Sequence, residues 1–429
     1  MDKIKRIPAW GMIALLVYMP FHILLSQSLS LATGGLEIWK VAKDALTLLL
    51  AVFAVLLVWQ QRKSNRLFNI LVVLSLVYGL LHLGVWALHP GNNPRTSILG
   101  SVYNNRLLWY LLIGFSAGLL VRGSALLERR IIKIILIVST IVAVLGILQY
   151  FLPKDILTHL GYSIERGVKP NFFIDDKPDL PRVMSTLRDP NSLGAYLILP
   201  LSLLAYLFLD KTYLGRRRLL VGLFVLQGVA LVLTFSRSAW LGALLSVVLV
   251  TVMSYRRAVG GFTKRYWPLI AAFVVGFGLM AFALRDNYVV QNVILHSDES
   301  TVAELDSNDL HLLYAQRAAT AIVAEPGGYG PGTAGLVSIQ NPNGGFLTEN
   351  YYLQIGYEVG VIGLLLFIAV QVIICWQLWK SKSRLAIVLL ASFAGYVVVN
   401  MLLHIWTNET VAAWWWLVAG LAICAKNRN

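Results

Sequence analysis

The sequence predicts an all-α, polytopic integral membrane protein of about twelve transmembrane helices with one large extracytoplasmic loop. Three observations predict it. Of the 429 residues, 58% are hydrophobic and the mean hydropathy is +0.70. Only 13% are charged, about half the share usual in soluble chains. Apolar runs near the length of a bilayer crossing recur along the chain, and the segments between them alternate in basic content.

Residues 1–284 carry the first nine expected spans, at 10–31, 42–59, 67–88, 107–127, 131–152, 188–209, 219–234, 238–254 and 266–284. The first follows a basic start and lacks a small-residue cleavage pattern, so it reads as a retained span. The seventh and eighth are short and read as a broken or strongly tilted pair. Residues 350–429 carry the last three, at 350–376, 384–405 and 410–425. With the N-terminus inside, 23 of the 36 Lys and Arg and 3 of the 21 acids fall on the cytoplasmic side, the inner ends of the spans included. That is the positive-inside signature. The net charge of +15 is therefore an orientation signal suited to anionic headgroups, and it does not point to nucleic acid. Both termini are expected in the cytoplasm.

Two extracytoplasmic loops interrupt this pattern. Residues 153–187 are rich in Pro and Asp. Residues 285–349 form the larger loop, in which DLHLLYAQRAATAIVAEP predicts a helix with Asp309 as its N-cap and Pro326 as its stop. The GGYGPG that follows, at 327–332, has the backbone freedom to approach a ligand closely, and a plain surface turn is the other reading.

Polar side chains gather where these loops meet the apolar runs. Arg188 lies in STLRDPNSLGAYL, Arg237 in TFSRSAWLG between two apolar runs, and Arg317 on the loop helix. An arginine beside hydrocarbon is expensive unless it is paired or meets an anion. Its guanidinium fork also matches phosphate oxygens. A lipid-linked pyrophosphate suits such a set, and snorkelling or structural pairing is the alternative. Arg182, in DLPRVM, joins them as a binding candidate. Glu349 and Asn350 precede the tenth span. Glu349 has two readings, a carboxylate capping a helix start or a base for a sugar hydroxyl. Tyr351 and Tyr352 suit an aromatic belt or sugar stacking, and Glu358, further along the same span, reads as facing the bundle, where an arginine is a natural partner.

No metal is expected. His311 and His404 are isolated, and DDKPD at 175–179 has no other ligand type nearby. Cys375 and Cys424 form neither a disulfide framework nor a metal site. No nucleotide-binding loop is present, so no cofactor is expected either, and the energy for a reaction comes from a donor substrate or a gradient.

The motifs RDPNSLGAYL (188–197), TFSRSAWLG (234–242), HLLYAQR…AEPGGYGPG ending at Gly332, and LTENYYLQIGYEVGVIGLLL (347–366) occur in this order. Together they resemble the O-antigen ligase and O-antigen polymerase superfamily of bacterial membrane glycosyltransferases, over residues 180–370. The resemblance implies a GT-C-like enzyme of the cytoplasmic membrane. It implies inverting transfer, at the outer face, from an undecaprenyl-pyrophosphate-linked oligosaccharide to a glycan or glycolipid acceptor. Neither metal nor nucleotide sugar is implied, and proteins of envelope glycan assembly are the implied partners. Arg188, Arg237 and Arg317 take the role of holding pyrophosphate. Ligases that act on lipid A core often carry a His-Asn pair where this chain has Glu349-Asn350. That departure favours a polymerase, or a ligase with another lipid or protein acceptor. A multi-span transporter or flippase is the reading from a different class, but it predicts an internal repeat with charged, broken spans near mid-membrane.

Overall fold

The computed structural model describes residues 3–121, 124–174, 177–254, 307–341, 345–381 and 383–424. The described chain is helical apart from one two-stranded antiparallel hairpin. The helices are α1 (Ile7–Tyr18), α2 (His22–Thr33), α3 (Leu36–Gln60), α4 (Arg66–Leu88), α5 (Pro94–Leu120), α6 (Ser124–Phe151) and the short α7 (Ile156–His159). The hairpin β1 (Phe172–Ile174) and β2 (Lys177–Arg182) follows. Then come α8 (Pro190–Leu209), α9 (Arg217–Leu233), α10 (Arg237–Ser254), α11 (Ser307–Ala324), the short α12 (Gly335–Ser338), α13 (Tyr351–Ser381), α14 (Arg384–Leu402) and α15 (Glu409–Cys424).

Eight helical stretches among the described residues are long and apolar enough to cross a membrane. The expected spans at 219–234 and 410–425 coincide with α9 and α15, and that at 107–127 overlaps the second half of α5, which starts at Pro94; none of these three helices is among the eight. The ninth expected span, 266–284, lies outside the described residues. Local chemistry sets several helix starts. Asn65, Asn93, Asp189 and Ser383 each accept a hydrogen bond from a first-turn backbone amide, and a proline opens α5 and α8. The stretch read as the first span breaks at Met19–Phe21, where Pro20 removes a donor. The carbonyls around the break find side chains instead: Met19 O meets Thr410 Oγ1 at 2.7 Å and His22 Nδ1 at 2.6 Å, and Pro20 O accepts from Thr186 Oγ1.

The bundle is built around α15, which is buried from Thr410 to Cys424. It runs parallel to α5, with Glu409 beside Arg106, Leu417 against Gly114 and Cys424 against Gly118. Any β-carbon on Gly114 would overlap the Leu417 carbonyl, so the small residue is what lets the two backbones touch. On another side, α10 and α14 pack antiparallel, with Gly242 against Gly395 and Val399.

The expected tenth span is not one straight helix. Gly360 takes φ +73 inside α13, and the chain doubles back there. Tyr351 lies edge-on to Phe367 at 5.6 Å, and Tyr352 Oη donates to Gln371 Oε1 at 3.3 Å. In a straight helix the first pair would be about 24 Å apart. Residues 361–381 remain as the crossing segment, about 31 Å long, while 351–359 return alongside it.

Candidate active site

At one end of the bundle, the tip of β2 and the starts of α8 and α10 meet. Gly194 on α8 lies against Ala239 of α10 and against Ser236 just before that helix. Arg182, at the end of β2, donates from Nε to Thr234 O at 3.0 Å and from Nη2 to Asn191 Oδ1 at 3.0 Å. It thereby stitches the α9–α10 turn to the first turn of α8. Burial and the like charge of Arg237 hold its pKa below the ordinary arginine value, against the opposing pull of Asp189. Arg188 immediately precedes the α8 cap residue Asp189, and Arg237 is the first residue of α10. Arg188 is half-buried and makes no hydrogen bond or ion pair among the described residues. The structure therefore brings Arg182 and Arg237 into one electrostatic group, with Arg188 on the adjoining helix start.

Arg317 is exposed on α11. That helix packs on α13 through Ile322 against Gly356, and Arg317 makes no hydrogen bond or ion pair among the described residues. Asp309 lies inside the first turn of α11, which begins at Ser307, so it is not the N-cap. The side chain of His311 lies outside the described residues.

Glu349 and Asn350 share the arginine end. Asn350 Nδ2 donates to Met401 O at 3.0 Å near the end of α14, while its Oδ1 accepts from Leu353 N at 3.0 Å. Asn350 is thus the side chain that caps α13, with Glu349 the residue before the cap. Register places Arg237 at the same level. It lies five residues before Gly242, which meets Gly395 and Val399 on antiparallel α14, so Arg237 falls at about the level of residues 400–404, where α14 ends.

Backbone strain marks the same places. Among the described residues four that are not glycine have positive φ: Arg62, Ser185, Phe235 and Glu349. Three of them lie in the motifs, with Ser185 three residues before Arg188, Phe235 two before Arg237, and Glu349 itself. Left-handed conformations at such residues are unfavourable and gather where function requires a particular geometry.

Two expectations are corrected. Glu358 faces the bundle, but its partner is not an arginine. Its Oε2 accepts from Asn104 Nδ2 at 2.7 Å, and its Oε1 accepts from Gly332 N at 3.0 Å and Ala334 N at 3.3 Å. The carboxylate therefore anchors the glycine-rich turn. The glycines of that turn serve contact with protein backbone: Gly332 lies against Thr96 O and Gly328 against Gly360, positions where a β-carbon would overlap main chain. Tyr351 is fully buried, with its hydroxyl 3.5 Å from Asn104 Oδ1, so it is neither a belt residue nor a stacking platform. Tyr352 is half-buried and lines a cavity with Asn350.

Beside this end lies a buried ionic cluster that the sequence reading missed. Arg106 Nη2 lies 3.2 Å from Glu409 Oε2, and Nη1 lies 3.6 Å from Asp44 Oδ1. Lys43 Nζ lies 2.9 Å from Asp44 and 3.7 Å from Glu409, and His22 Nε2 is bonded to Glu409 Oε1. Arg106 also donates to Thr407 O and stacks over Tyr103 at 4.2 Å. The available signal was the run Tyr103–Arg106 just ahead of the expected fourth span. The Asn93-Pro94 cap places that run nine to twelve residues past the start of a helix rather than in a loop.

Residues 222–368 match the O-antigen ligase family. The matched segment contains Arg237, Arg317, Glu349, Asn350, Tyr351, Tyr352 and Glu358, while Arg182 and Arg188 lie outside it. No curated protein matches the chain. The family match supports an enzymatic, glycan-processing role for this multi-pass membrane protein.

Proposed function

We propose that this chain is a membrane glycosyltransferase of the polysaccharide polymerase or ligase type. It transfers an oligosaccharide from undecaprenyl pyrophosphate to an acceptor hydroxyl, with inversion and without a metal, at the outer face of the bacterial cytoplasmic membrane. The positive-inside charge bias supports twelve spans with both termini inside, which puts the arginine end outside.

The observation that carries the reading is the grouping of Arg182 with Arg237 where the starts of α8 and α10 abut, with Arg188 next to the α8 cap and Glu349, at φ +50, next to the α13 cap. Pyrophosphate gains negative charge as its bond to the anomeric carbon breaks. Fixed guanidinium groups stabilise that charge more in the transition state than in the ground state. Glu349 takes the proton of the acceptor hydroxyl, whose oxygen bonds to the anomeric carbon from the opposite side. The electron pair of the breaking bond leaves on pyrophosphate, a stable anion that needs no acid.

The test is transfer by purified protein in nanodiscs, using a short undecaprenyl-pyrophosphate oligosaccharide with chelator present and no nucleotide. Longer glycans resolved by size are expected, with Arg237→Ala slower by about a hundredfold or more. Transport of the substrate across liposomes with no transfer under any acceptor condition would overturn the reading.

A further inference from the structure

Because Arg188 makes no hydrogen bond or ion pair among the described residues, the backbone before it decides where its guanidinium sits. That backbone is held from two sides. Ser185, left-handed at φ +54, is tied to α6: its N–H donates to Gln149 Oε1 at 2.8 Å and its Oγ to Val142 O at 2.7 Å. Thr186 Oγ1 donates the other way, to Pro20 O at 2.7 Å in the break between α1 and α2. A left-handed residue of this kind persists only where its surroundings over-determine it.

Glu349, at φ +50, is the matching case before α13. Next to it, Asn350 Nδ2 donates to Met401 O at 3.0 Å, and Tyr351 N donates to Leu403 O at 3.2 Å. Both acceptors lie where α14 ends and the connection to α15 begins. That connection is itself clasped. Thr407 donates from N and Oγ1 to His404 O, and Arg106 Nη2 donates to Thr407 O.

The two supports meet at Glu409. On the Arg188 side, Met19 O, next to Pro20, accepts from Thr410 Oγ1 and His22 Nδ1, and His22 Nε2 is bonded to Glu409 Oε1. On the Glu349 side, Glu409 Oε2 lies 3.2 Å from Arg106 Nη2, the same nitrogen that holds Thr407 O. One carboxylate thus joins the break that fixes Thr186 to the connection that fixes Asn350 and Tyr351. Arg237 needs no such link, because α10, which it begins, packs directly on α14. Buried ion pairs add little net stability over apolar packing of the same volume. What charge supplies here is direction, since each oxygen of Glu409 meets a donor from a different side.

We propose, resting on the transfer reading above, that His22, Glu409 and Arg106 are positioning residues that set the distance between Arg188 and Glu349. Pyrophosphate held at the first and an acceptor hydroxyl at the second have to meet in line across the anomeric carbon. A misplacement of about 1 Å, even one that starts far from the reacting atoms, costs about a hundredfold in rate. None of the three is asked to touch substrate, so their loss lowers kcat and leaves KM for the donor nearly unchanged.

The experiment pairs transfer kinetics with amide exchange, using the full-length protein in nanodiscs. Glu409→Gln with Arg106→Met rebalances the charge of the cluster but cuts the bridge at Arg106 and leaves Thr407 O without its guanidinium. At a temperature where this double variant is fully folded, kcat is expected to fall by about thirtyfold or more, with KM for a short undecaprenyl-pyrophosphate oligosaccharide within about twofold. Thr186→Val keeps the shape of the side chain and loses its donor, so kcat falls about fivefold, whereas Thr186→Ser keeps the donor and stays close to the parent. Parental kcat in the folded double variant, or equal kcat for Thr186→Val and Thr186→Ser, overturns the positioning role. Amide exchange in the double variant is expected to quicken about tenfold at both Leu187 and Tyr351, whose N–H groups are bonded on the two sides of the bridge. Exchange that quickens only within residues 405–412 overturns the bridge. Absence of transfer by the unsubstituted protein overturns the transfer reading and the positioning role with it, and is told apart from failure of the bridge by the exchange pattern.

Discussion

Replacing Glu409 by Gln keeps the shape of the side chain and removes one charge from the buried cluster. In the native cluster the cations Lys43 and Arg106 face the anions Asp44 and Glu409, with His22 as a further partner of Glu409. After Glu409→Gln, Asp44 alone balances two cations, and Arg106 is left with an anion 3.6 Å away that is already bonded to Lys43 at 2.9 Å. Breaking a buried ion pair from one side destabilises by about 3–5 kcal/mol, because a charge stays behind uncompensated. Adding Arg106→Met restores the balance, leaving Lys43 with Asp44. The double variant is therefore expected to be more stable than the sum of the two single effects by about 1–3 kcal/mol. Equilibrium unfolding in mixed detergent micelles measures this, with tryptophan fluorescence as the signal. The buried, mutually packed Trp406, Trp415 and Trp416 report on the α15 core, to which Glu409 belongs. A single variant within about 1 kcal/mol of the parent, or strict additivity in the double, would refute the reasoning.

Other perturbations test the neighbouring elements. Gly332→Ala places a β-carbon on the Thr96 carbonyl at φ +77, so a loss of about 1–3 kcal/mol is expected in the same unfolding assay, and no loss would show that the turn is loosely held. Asn350→Ala removes the α13 cap and the bond to Met401, which lowers stability by about 0.5–2 kcal/mol. Glu349→Gly relieves a left-handed backbone at φ +50, so this variant should be more stable by about 1 kcal/mol. It should also lose about a hundredfold or more in kcat, and full activity would remove Glu349 from the chemistry. Arg188→Lys keeps the charge but loses the fork, and partial transfer between the parent and Arg188→Ala is the expected order.

Hydropathy made most of the helices legible, because a bilayer imposes a length and a polarity that any reader can count. The motif arginines were legible for a related reason, since charge beside an apolar run stands out. What was not legible is what depends on partners. Glu358 reads as an arginine partner until Asn104 and the amides of Gly332 and Ala334 are found around it. Tyr351 reads as an interfacial aromatic until the reversal at Gly360 carries it into the core. A hydropathy window cannot register that reversal, because 351–359 and 361–381 are both apolar and helical. Arg106 falls one residue ahead of the expected span at 107–127, although the Asn93-Pro94 start marks helix well before it.

The burial of α15 has a consequence for how the molecule is made. The helix at the centre of the bundle is the last described one in the chain, so every other described helix is synthesised before the element it packs around. Arg106, Lys43, Asp44 and His22 gather at one end of the α15 position, and the Glu409 carboxylate they surround is supplied last. Before it is in place the two cations Lys43 and Arg106 have only Asp44 to face, so completing the bundle and balancing its buried charge are one event.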